Sequence, residues 1–332
     1  MAIKWLITGG CGFIGRNLVK NLVEQGTHSI TIVDNLSAGT RDDLKKVCDF
    51  RETKADRLRR DATRVDLVIG DIIDDELALG LCSNTDIIVH LAANTGVAPS
   101  VSNPRKDCIS NVIGTFNYLE GARVNGVKRF IFASSGAPIG ECTPPIHEEL
   151  PAHPVSPYGA SKLAGEGYCS AYFKSYGIET IALRFGNVYG PFSSHKDSVV
   201  AKFIKRILSH KTLEIYGDGN QTRDFIYITD LVSAIFSAAL FSGIGGETLQ
   251  IATAKETTIL ELVEALEAVV ELEYPDIEVS YVCSEPRIGD VKRNYSDTAK
   301  AQKLIGWQAK TGLRDGLKKT INWFFHQVNS DA

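Results

Sequence analysis

Short apolar runs rich in β-branched residues alternate with longer helical stretches through the first half of the chain. Strands are predicted at residues 4–8, 29–34, 65–70, 87–91, 129–134 and 180–185, and helices at 13–25, 104–125 and 158–176. These helices are long enough to carry the chain from one parallel strand to the next. The order of elements therefore predicts an α/β fold with a doubly wound parallel sheet and helices on both faces.

The alternation becomes irregular after about residue 186. Helices are predicted near 199–209 and 229–241 with a loop over 216–224 between them, and helices around one strand at 278–282 are expected beyond residue 259. Residues 249–252 have the pattern of a strand that returns to the main sheet. We therefore expect two interleaved domains: residues 1–185 with about 222–254 form the larger one, and residues 186–221 with 255–328 form a smaller α/β domain.

Composition and charge exclude several classes of partner. The 332 residues include 36 Lys and Arg against 40 Asp and Glu, a formal net charge of −4, which leaves no broad basic surface for nucleic acid. No apolar run reaches the ~20 residues that a membrane span needs, and no secretory signal is recognised near Trp5.

Seven cysteines without a C-x-x-C pair predict reduced thiols in the core and no metal site. We expect a cytoplasmic protein.

A glycine-rich turn joins the first predicted strand to the first helix. Its sequence over residues 9–15 is GGCGFIG, and such a turn lets the backbone approach a pyrophosphate at the N-terminus of the following helix. Asp34, at the tip of the second strand, lies 19 residues after Gly15, close to the ~20 expected for a carboxylate that binds a ribose. These features predict a Rossmann domain that binds NAD in preference to NADP, because Asp34 repels a 2′-phosphate. Arg41 is expected to be an exposed loop residue. Asp71 and Ile72, at the end of the third strand, are expected against the adenine.

A tyrosine and a lysine, Tyr158 and Lys162, lie four residues apart on a predicted helix, so both side chains share one face. An unperturbed phenol has a pKa of about 10 and is a poor base at neutral pH. A neighbouring ammonium and a positive nicotinamide favour the phenolate, so proton transfer from a sugar hydroxyl becomes feasible. This pair is the predicted acid/base centre, downstream of Ser134 and Ser135.

The motifs along the chain resemble those of the extended short-chain dehydrogenase/reductase family, in particular its nucleotide-sugar epimerases and dehydratases. In chain order they are TGGCGFIG from Thr8, Asp34-Asn35, HLAA from His90, Ser134-Ser135, YGASK from Tyr158, RFGNVYGP from Arg184, GDGNQTRDF from Gly217 and RIGDV from Arg287. The resemblance covers nearly the whole chain. It implies NAD as cofactor, a nucleotide sugar as substrate, and a homodimer formed through a four-helix bundle of the helix after Pro104 and the helix that carries Tyr158.

The resemblance also implies roles for individual residues. Ser135, Tyr158 and Lys162 would form the catalytic triad, with Ser135 beside the sugar O4 and Lys162 on the nicotinamide ribose. The cofactor would contact Gly9, Gly12, Phe13, Ile14, Gly15, Asp34, Asn35, Asp71, Ile72, Leu91, Ala92, Ala93, Tyr158 and Lys162. The substrate would contact Asn187, Arg223, Arg287, Asp290 and Asn294, and Asn111 would support the geometry of the site. His195 and Lys196 have two interpretations, as surface charges or as partners of a uronate carboxylate.

Departures from the family pattern reduce the number of reactions that the chain is expected to catalyse. Family dehydratases carry an Asp-Glu pair after the catalytic Ser/Thr, and decarboxylases carry a Glu two residues after it, whereas this chain has Gly136-Ala137-Pro138-Ile139. We therefore predict NAD-dependent C4 epimerisation of a UDP-hexose, either UDP-glucose/galactose or the N-acetyl forms. The alternatives are a UDP-glucuronate 4-epimerase, a 4-ketoreductase or 4,6-dehydratase, and a non-catalytic NAD-binding protein. Pro138 also allows an altered loop that would bring Glu141 or Cys142 toward the sugar.

Overall fold

A parallel eight-stranded sheet forms the centre of the protein. The computed structural model describes residues 2–58, 64–286 and 291–330. The strands are β1 Lys4–Thr8, β2 Ser29–Asp34, β3 Arg51–Glu52, β4 Val65–Ile69, β5 Ile87–His90, β6 Arg129–Ser135, β7 Glu179–Phe185, β8 Asn187–Tyr189, β9 Leu213–Tyr216, β10 Thr222–Arg223, β11 Phe225–Tyr227, β12 Thr248–Ile251, β13 Thr257–Thr258 and β14 Tyr281–Ser284. The central sheet has the order β12-β7-β6-β5-β1-β2-β4-β3, and every neighbouring pair is parallel. The predicted α/β Rossmann fold is confirmed.

Helices cover both faces of this sheet. They are α1 Phe13–Glu24, α2 Arg41–Lys45, α3 Asp75–Cys82, α4 Val97–Ser102, α5 Pro104–Cys108, α6 Gly114–Asn125, α7 Pro157–Tyr176, α8 Val199–Leu208, α9 Ile228–Leu240, α10 Ile259–Glu273, α11 Ala299–Ile305 and α12 Leu313–Ser330. Alternate residues of β1 enter different cores: Trp5 and Ile7 pack into one, and Leu6 packs into the other. This period of two buries both faces of the sheet, as parallel sheets require.

The second half of the chain returns to the central sheet as the sequence pattern predicted. β12 pairs with β7 in parallel, with Leu249 opposite Leu183. Shorter pairs lie outside the central sheet: β8 with β11, β9 with β14, and β10 with β13. The strand predicted at 278–282 is wrong by about three residues, because the register with β9 places Tyr281 opposite Leu213 and carries the strand on to Ser284.

The helix predicted over 104–125 is present and contains a widened turn. α5 and α6 are separated by a π-helical segment, Ile109–Ile113, at which the buried side chain of Asn111 bonds to both backbone groups of Asn94. Such a widened turn frequently marks a functional site. The sequence pattern did not predict it, because the contact is made across a sequence separation of 17 residues.

All seven cysteines carry free thiols. Cys11, Cys82 and Cys169 are buried, as expected for core thiols, but the same expectation is wrong for Cys108 and Cys283, which are exposed. Among the described residues, no helix combines the length and the apolar character needed to cross a bilayer.

Candidate active site

A cleft of about 510 Å³ lies at the carboxyl ends of the central strands, where the chain leaves β1 for one side of the sheet and later returns on the other. In doubly wound sheets, ligands bind at this position. The predicted residues that line it are Gly9, Gly12, Phe13, Ile14, Gly15, Asp34, Asn35, Asp71, Ile72, Leu91, Ala92, Ala93, Ser135, Tyr158, Lys162 and Asn187. Residues separated by up to 178 positions in the sequence thus meet in one space.

The glycine turn is shaped for the close approach of a ligand. Gly9 has φ +71, and a Cβ there would lie 2.9 Å from the amide nitrogen of Ala92; a Cβ on Gly15 would lie 2.3 Å from the carbonyl oxygen of Gly9. Gly12 ends the turn, and no side chain caps α1 at this residue. Free N–H groups and the positive end of a 12-residue helix therefore face the cleft. These residues fit the pyrophosphate of NAD.

The carboxylate of Asp34 is held at the ribose end of the cleft. It accepts hydrogen bonds from the backbone N–H groups of Cys11 (2.9 Å) and Leu36 (2.8 Å), while burial raises its pKa. Arg41 is engaged elsewhere, since its guanidinium forms two hydrogen bonds with Glu52 at 2.6 and 3.0 Å on the surface. Arg41 is exposed, as predicted, but it begins α2 rather than lying in a loop. The arrangement fits the unphosphorylated ribose of NAD.

Three side chains meet at the other end of the cleft. Ser135 ends β6, while Tyr158 and Lys162 lie in the first two turns of α7, which Ser156 caps by accepting a hydrogen bond from Gly159 N at 3.1 Å. Lys162 Nζ donates to the carbonyl oxygen of Ala133 at 2.8 Å and lies 5.9 Å from the centre of the Tyr158 ring. The helix start and the strand end together assemble the predicted triad.

Burial dominates the electrostatics of the triad. It lowers the pKa of Lys162 to about 8, although the charges of Asp107 and Glu166 act in the opposite direction. Burial also raises the pKa of Tyr158 to about 12, and the interaction with the Ser135 side chain opposes this shift. The protein by itself therefore keeps the phenol protonated. A positive nicotinamide next to it would favour the phenolate.

Buried polar groups support the cleft from behind. Asn111 is 1% exposed, and its Nδ2 donates to Asp107 Oδ1 and Ser161 Oγ, both at 3.0 Å. His90 lies between the hydroxyls of Thr8 and Thr115, at 3.1 and 3.2 Å. Burial lowers the pKa of His90 to about 3, so the imidazole stays neutral at physiological pH.

The residues that follow Ser135, from 136 to 142, are not among those that line the cleft. Ile139 is 1% exposed and packs inward, and Gly140 takes a left-handed conformation with φ +74. Ser135 lines the cleft, whereas Glu141 and Cys142 are not among its lining residues. The structure therefore gives no support to the alternative in which this loop delivers Glu141 or Cys142 to the sugar.

The predicted substrate residues are not all brought to the cleft. Asn187 lines it, whereas Arg223 and Asn294 lie outside the lining, with Arg223 Nη1 donating to the carbonyl oxygen of Val291 at 2.7 Å. Arg287 and Asp290 lie outside the described residues. His195 points to Asp43, with 3.3 Å between Nε2 and Oδ2, while the neighbouring Lys196 lines the cleft.

Several lining residues were missed by the sequence reasoning. They are Asn94, Thr95, Lys106, Ser110 and Ser198. Asn94 and Thr95 directly follow the HLAA motif at a strand end, and this position could have identified them. The others come from helices and a loop whose approach to the cleft depends on tertiary packing.

Comparisons with known proteins agree with this geometry. A sequence profile of the NAD dependent epimerase/dehydratase family matches residues 5–252. The UDP-glucose 4-epimerase of Mycolicibacterium smegmatis is 34% identical over 328 residues, covering 97% of this chain and 98% of that protein. The crystal structure of Thermotoga maritima UDP-glucose 4-epimerase with UDP-glucose superposes with a TM-score of 0.84 at 34% identity, over 98% of this chain and 100% of that one. UDP-glucuronic acid 4-epimerase from Bacillus cereus, in complex with UDP-glucuronic acid and NAD, gives 0.85 at 27% identity, again over 98% and 100%.

Proposed function

The chain belongs to the NAD-dependent epimerase/dehydratase family and uses NAD, and within this family we propose that it catalyses the C4 epimerisation of a UDP-hexose. The proposed substrates are UDP-glucose/galactose or their N-acetyl forms. The likeness to the UDP-glucose 4-epimerases supports this choice. UDP-glucuronate is the second candidate, because the Bacillus cereus enzyme is equally similar in fold and Lys196 lines the cleft.

The observation that carries the proposal is the set of acid/base groups around the cleft. Ser135, Tyr158 and Lys162 converge at one end, and Asp34 and Asp71 are the only carboxylate residues that line it within the described ranges. Both carboxylates lie at the ends of β2 and β4, on the ribose side. Elimination of water or loss of a carboxyl group requires a further acid/base group at the reacting end. The site therefore supports epimerisation best.

Each residue of the triad has a separate task in this chemistry. NAD, when bound, supplies the redox chemistry by which the C4 hydrogen is removed and returned. Tyr158 accepts the proton of the sugar O4 and later gives it back, and Ser135 donates a hydrogen bond to the same oxygen. The charge of Lys162, together with the positive nicotinamide, favours the ionised tyrosine. Between the two steps the sugar is a 4-keto intermediate that rotates to present its other face. The hydrogen that was removed is returned, so no cofactor is consumed.

The rest of the substrate lies along the smaller half of the protein in this proposal. Asn187, Arg223 and Arg287 bind the diphosphate, Asp290 binds the nucleotide ribose, and Asn294 borders the sugar. Arginine suits this role because its planar fork matches phosphate oxygens. The corresponding domain division is residues 1–185 with about 222–254 for NAD, and residues 186–221 with 255–328 for the nucleotide sugar.

A substrate panel tests the proposed reaction. The purified protein, with its NAD and no added cofactor, is incubated with UDP-glucose, UDP-N-acetylglucosamine and UDP-glucuronate, and the products are identified by NMR. We expect the 4-epimer of at least one of them, and a loss of rate of about 10²–10⁴-fold in Tyr158→Phe. No 4-epimer from any of the three would refute the proposal. A product that forms only with stoichiometric added cofactor would identify a ketoreductase instead.

A homodimer is the proposed assembly. Apolar side chains remain exposed on packed helices at one side of the molecule: Val97 and Val101 on α4, Ile109 and Ile113 on the π-helical segment, Phe116 on α6 and Tyr168 on α7. The ring centres of Phe116 and Tyr168 lie 5.6 Å apart in an edge-to-face arrangement, so the apolar surface is continuous between α6 and α7. Its burial against a second copy would form the four-helix bundle that the resemblance implies.

Charge substitution on this face tests the dimer. Ile113→Glu is expected to give a monomer, because a carboxylate cannot be buried in an apolar interface without a partner. Light scattering after size-exclusion chromatography measures the mass, and Leu272→Glu, at an exposed residue of α10, is the matched control. A wild-type protein of monomer mass would contradict the proposal.

The proposed location is the cytoplasm, where unpaired cysteines such as these seven persist.

A further inference from the structure

One wall of the cleft carries a lysine without an acidic partner. Lys196 lies between β8 and α8 and lines the cleft on the same side as Asn187. Within the described part of the chain, its Nζ forms neither an ion pair nor a hydrogen bond. Neither the tasks of the triad nor the proposed cofactor contacts involve this ammonium.

The backbone around Lys196 is held from both sides. Arg16 Nη2 donates to the carbonyl oxygen of Phe192 at 2.9 Å, and Lys205 Nζ donates to the carbonyl oxygens of Ser194 and Lys196 at 3.1 and 3.2 Å. The amide of Lys196 closes a turn on the carbonyl oxygen of Ser193 at 2.9 Å. These bonds hold the backbone from which the Lys196 side chain reaches the cleft.

Lys196 adds a second positive charge to the cleft that Lys162 lines. Burial lowers the pKa of Lys196, and the charge of Lys196 in turn contributes to lowering the pKa of Lys162. The neighbouring basic residue, His195, contacts Asp43 and does not line the cleft. Lys162 and Lys196 thus line one cleft, in which Asp34 and Asp71 are the only lining carboxylate residues within the described ranges. An anionic ligand close to the two ammonium groups would relieve their repulsion.

A second group on the same wall also lacks a partner. Ser198 lines the cleft, and its hydroxyl is buried with no hydrogen-bond partner among the described residues. It stands at the N-cap of α8, a helix of 10 residues, yet its side chain caps no N–H group there. An ammonium, a hydroxyl and a helix N-terminus together are complementary to anionic oxygens.

We propose that Lys196 and Ser198 bind an anionic oxygen group of the substrate, which is either the diphosphate or a carboxylate on the sugar, and that they act as specificity-determining residues. Both sources present the same chemistry to the wall, namely oxygens that accept charge-assisted hydrogen bonds. The inference rests on the proposed function for the identity of the ligand as a nucleotide sugar.

Binding calorimetry on the NAD-loaded protein tests the proposal without turnover. The probes are uridine, UDP, UDP-glucose and UDP-glucuronate, measured with wild type, Lys196→Met, Lys196→Arg and Ser198→Ala. Loss of one charge-assisted hydrogen bond should weaken an anionic probe by about tenfold or more in Lys196→Met, and less in Ser198→Ala. Lys196→Arg should recover most of the affinity, because it restores the charge.

The pattern across the probes identifies the group. Equal weakening for UDP, UDP-glucose and UDP-glucuronate supports the proposal with the diphosphate as the ligand. Weakening for UDP-glucuronate alone supports it with the sugar carboxylate. Unchanged affinity for all three anionic probes in both Lys196→Met and Ser198→Ala overturns the proposal.

Two controls separate this result from structural damage and from failure of the proposed function. Lys211→Met removes the same charge from an exposed position between α8 and β9 and should leave every affinity unchanged. Uridine lacks a phosphate, so an equal loss of uridine affinity in Lys196→Met would refute the proposal. Since binding is measured directly, a selective effect of Lys196→Met stands even if none of the sugars is epimerised.

Discussion

A buried charge modifies the proton affinity of the triad, in addition to the larger effect of burial. Asp107 is 0% exposed; its Oδ1 accepts a hydrogen bond from Asn111 at 3.0 Å, and its Oδ2 has no partner among the described residues. The negative charge raises the pKa of both Lys162 and Tyr158. A residue that contacts no predicted ligand therefore acts on both members of the acid/base pair.

Removal of this charge should shift the pH dependence of activity. In Asp107→Asn, Lys162 loses its proton at a lower pH than the wild-type value of about 8, and Tyr158 ionises at a lower pH than before. In the NAD-bound protein, the positive nicotinamide lowers the pKa of Tyr158, so that the rising limb of kcat/KM follows ionisation of the phenol and the falling limb follows loss of the ammonium. Both limbs should move toward acid pH. The pH profile of kcat/KM with the best substrate of the panel measures both limbs.

Asp42→Asn is the matched control for this prediction. Asp42 lies on α2 with its side chain 88% exposed, so its charge is screened by solvent and neither limb should move. A profile for Asp107→Asn that keeps its wild-type position would show that Asp107 only supports Asn111.

At the scale of elements, the turn between β1 and α1 combines two demands. The turn must bring its backbone against Ala92 at the end of β5, and it must leave the N-terminus of α1 open to a ligand. Glycine meets both demands because it has no Cβ and tolerates the positive φ of Gly9. The motif thus serves packing as much as binding.

Gly15→Ala should impair both stability and cofactor binding. The added Cβ would lie 2.3 Å from the carbonyl oxygen of Gly9 and 2.6 Å from the Cα of Gly10, so the turn must shift. We expect a loss of about 1–3 kcal/mol in the free energy of unfolding of the cofactor-free protein, as for other overpacked sites, and a weaker affinity for NAD. Denaturant unfolding and NAD titration measure the two effects.

The same substitution at Gly80 serves as the control. Gly80 lies in α3, exposed, with no atom within 4 Å of the added Cβ. Gly80→Ala should therefore raise stability slightly, by up to about 1 kcal/mol, through helix propensity alone. If Gly15→Ala behaves like Gly80→Ala, the steric account of the turn is incorrect.

At the scale of the whole molecule, one buried arginine joins the cofactor side to the substrate side. Arg16 of α1 is 2% exposed; its Nη1 bonds Asp43 Oδ1 at 2.9 Å and its Nη2 bonds the carbonyl oxygen of Phe192, also at 2.9 Å. The guanidinium also lies over the Phe192 ring, at 5.1 Å. The helix that begins at the glycine turn is thereby tied to the segment that carries Lys196.

Arg16→Met should lower the stability of the protein and weaken the binding of UDP. It leaves the mostly buried Asp43 without its strongest cationic partner, and we expect a loss of about 3 kcal/mol in the free energy of unfolding. UDP should also bind more weakly, because the segment 192–198 loses one of its two clamps. Lys20→Met, also on α1 but in an exposed pair with Glu24 at 3.9 Å, should cost less than about 1 kcal/mol. Unfolding curves and UDP titrations that match between Arg16→Met and Lys20→Met would contradict this view.

The sequence alone predicted a parallel sheet, the glycine turn, Asp34 and the Tyr158–Lys162 pair, and the family resemblance added Ser135. Each depends on local order: a strand end, a tight turn or a spacing of four on a helix places its residues whatever the rest of the chain does. Tertiary structure decided the rest. It inserted the π-helical turn at Asn111, left Glu141 outside the lining of the cleft, and placed His195 against Asp43 while Lys196 lines the cleft. These outcomes depend on contacts between segments distant in the chain, and no local pattern of residues encodes the direction in which such a side chain points.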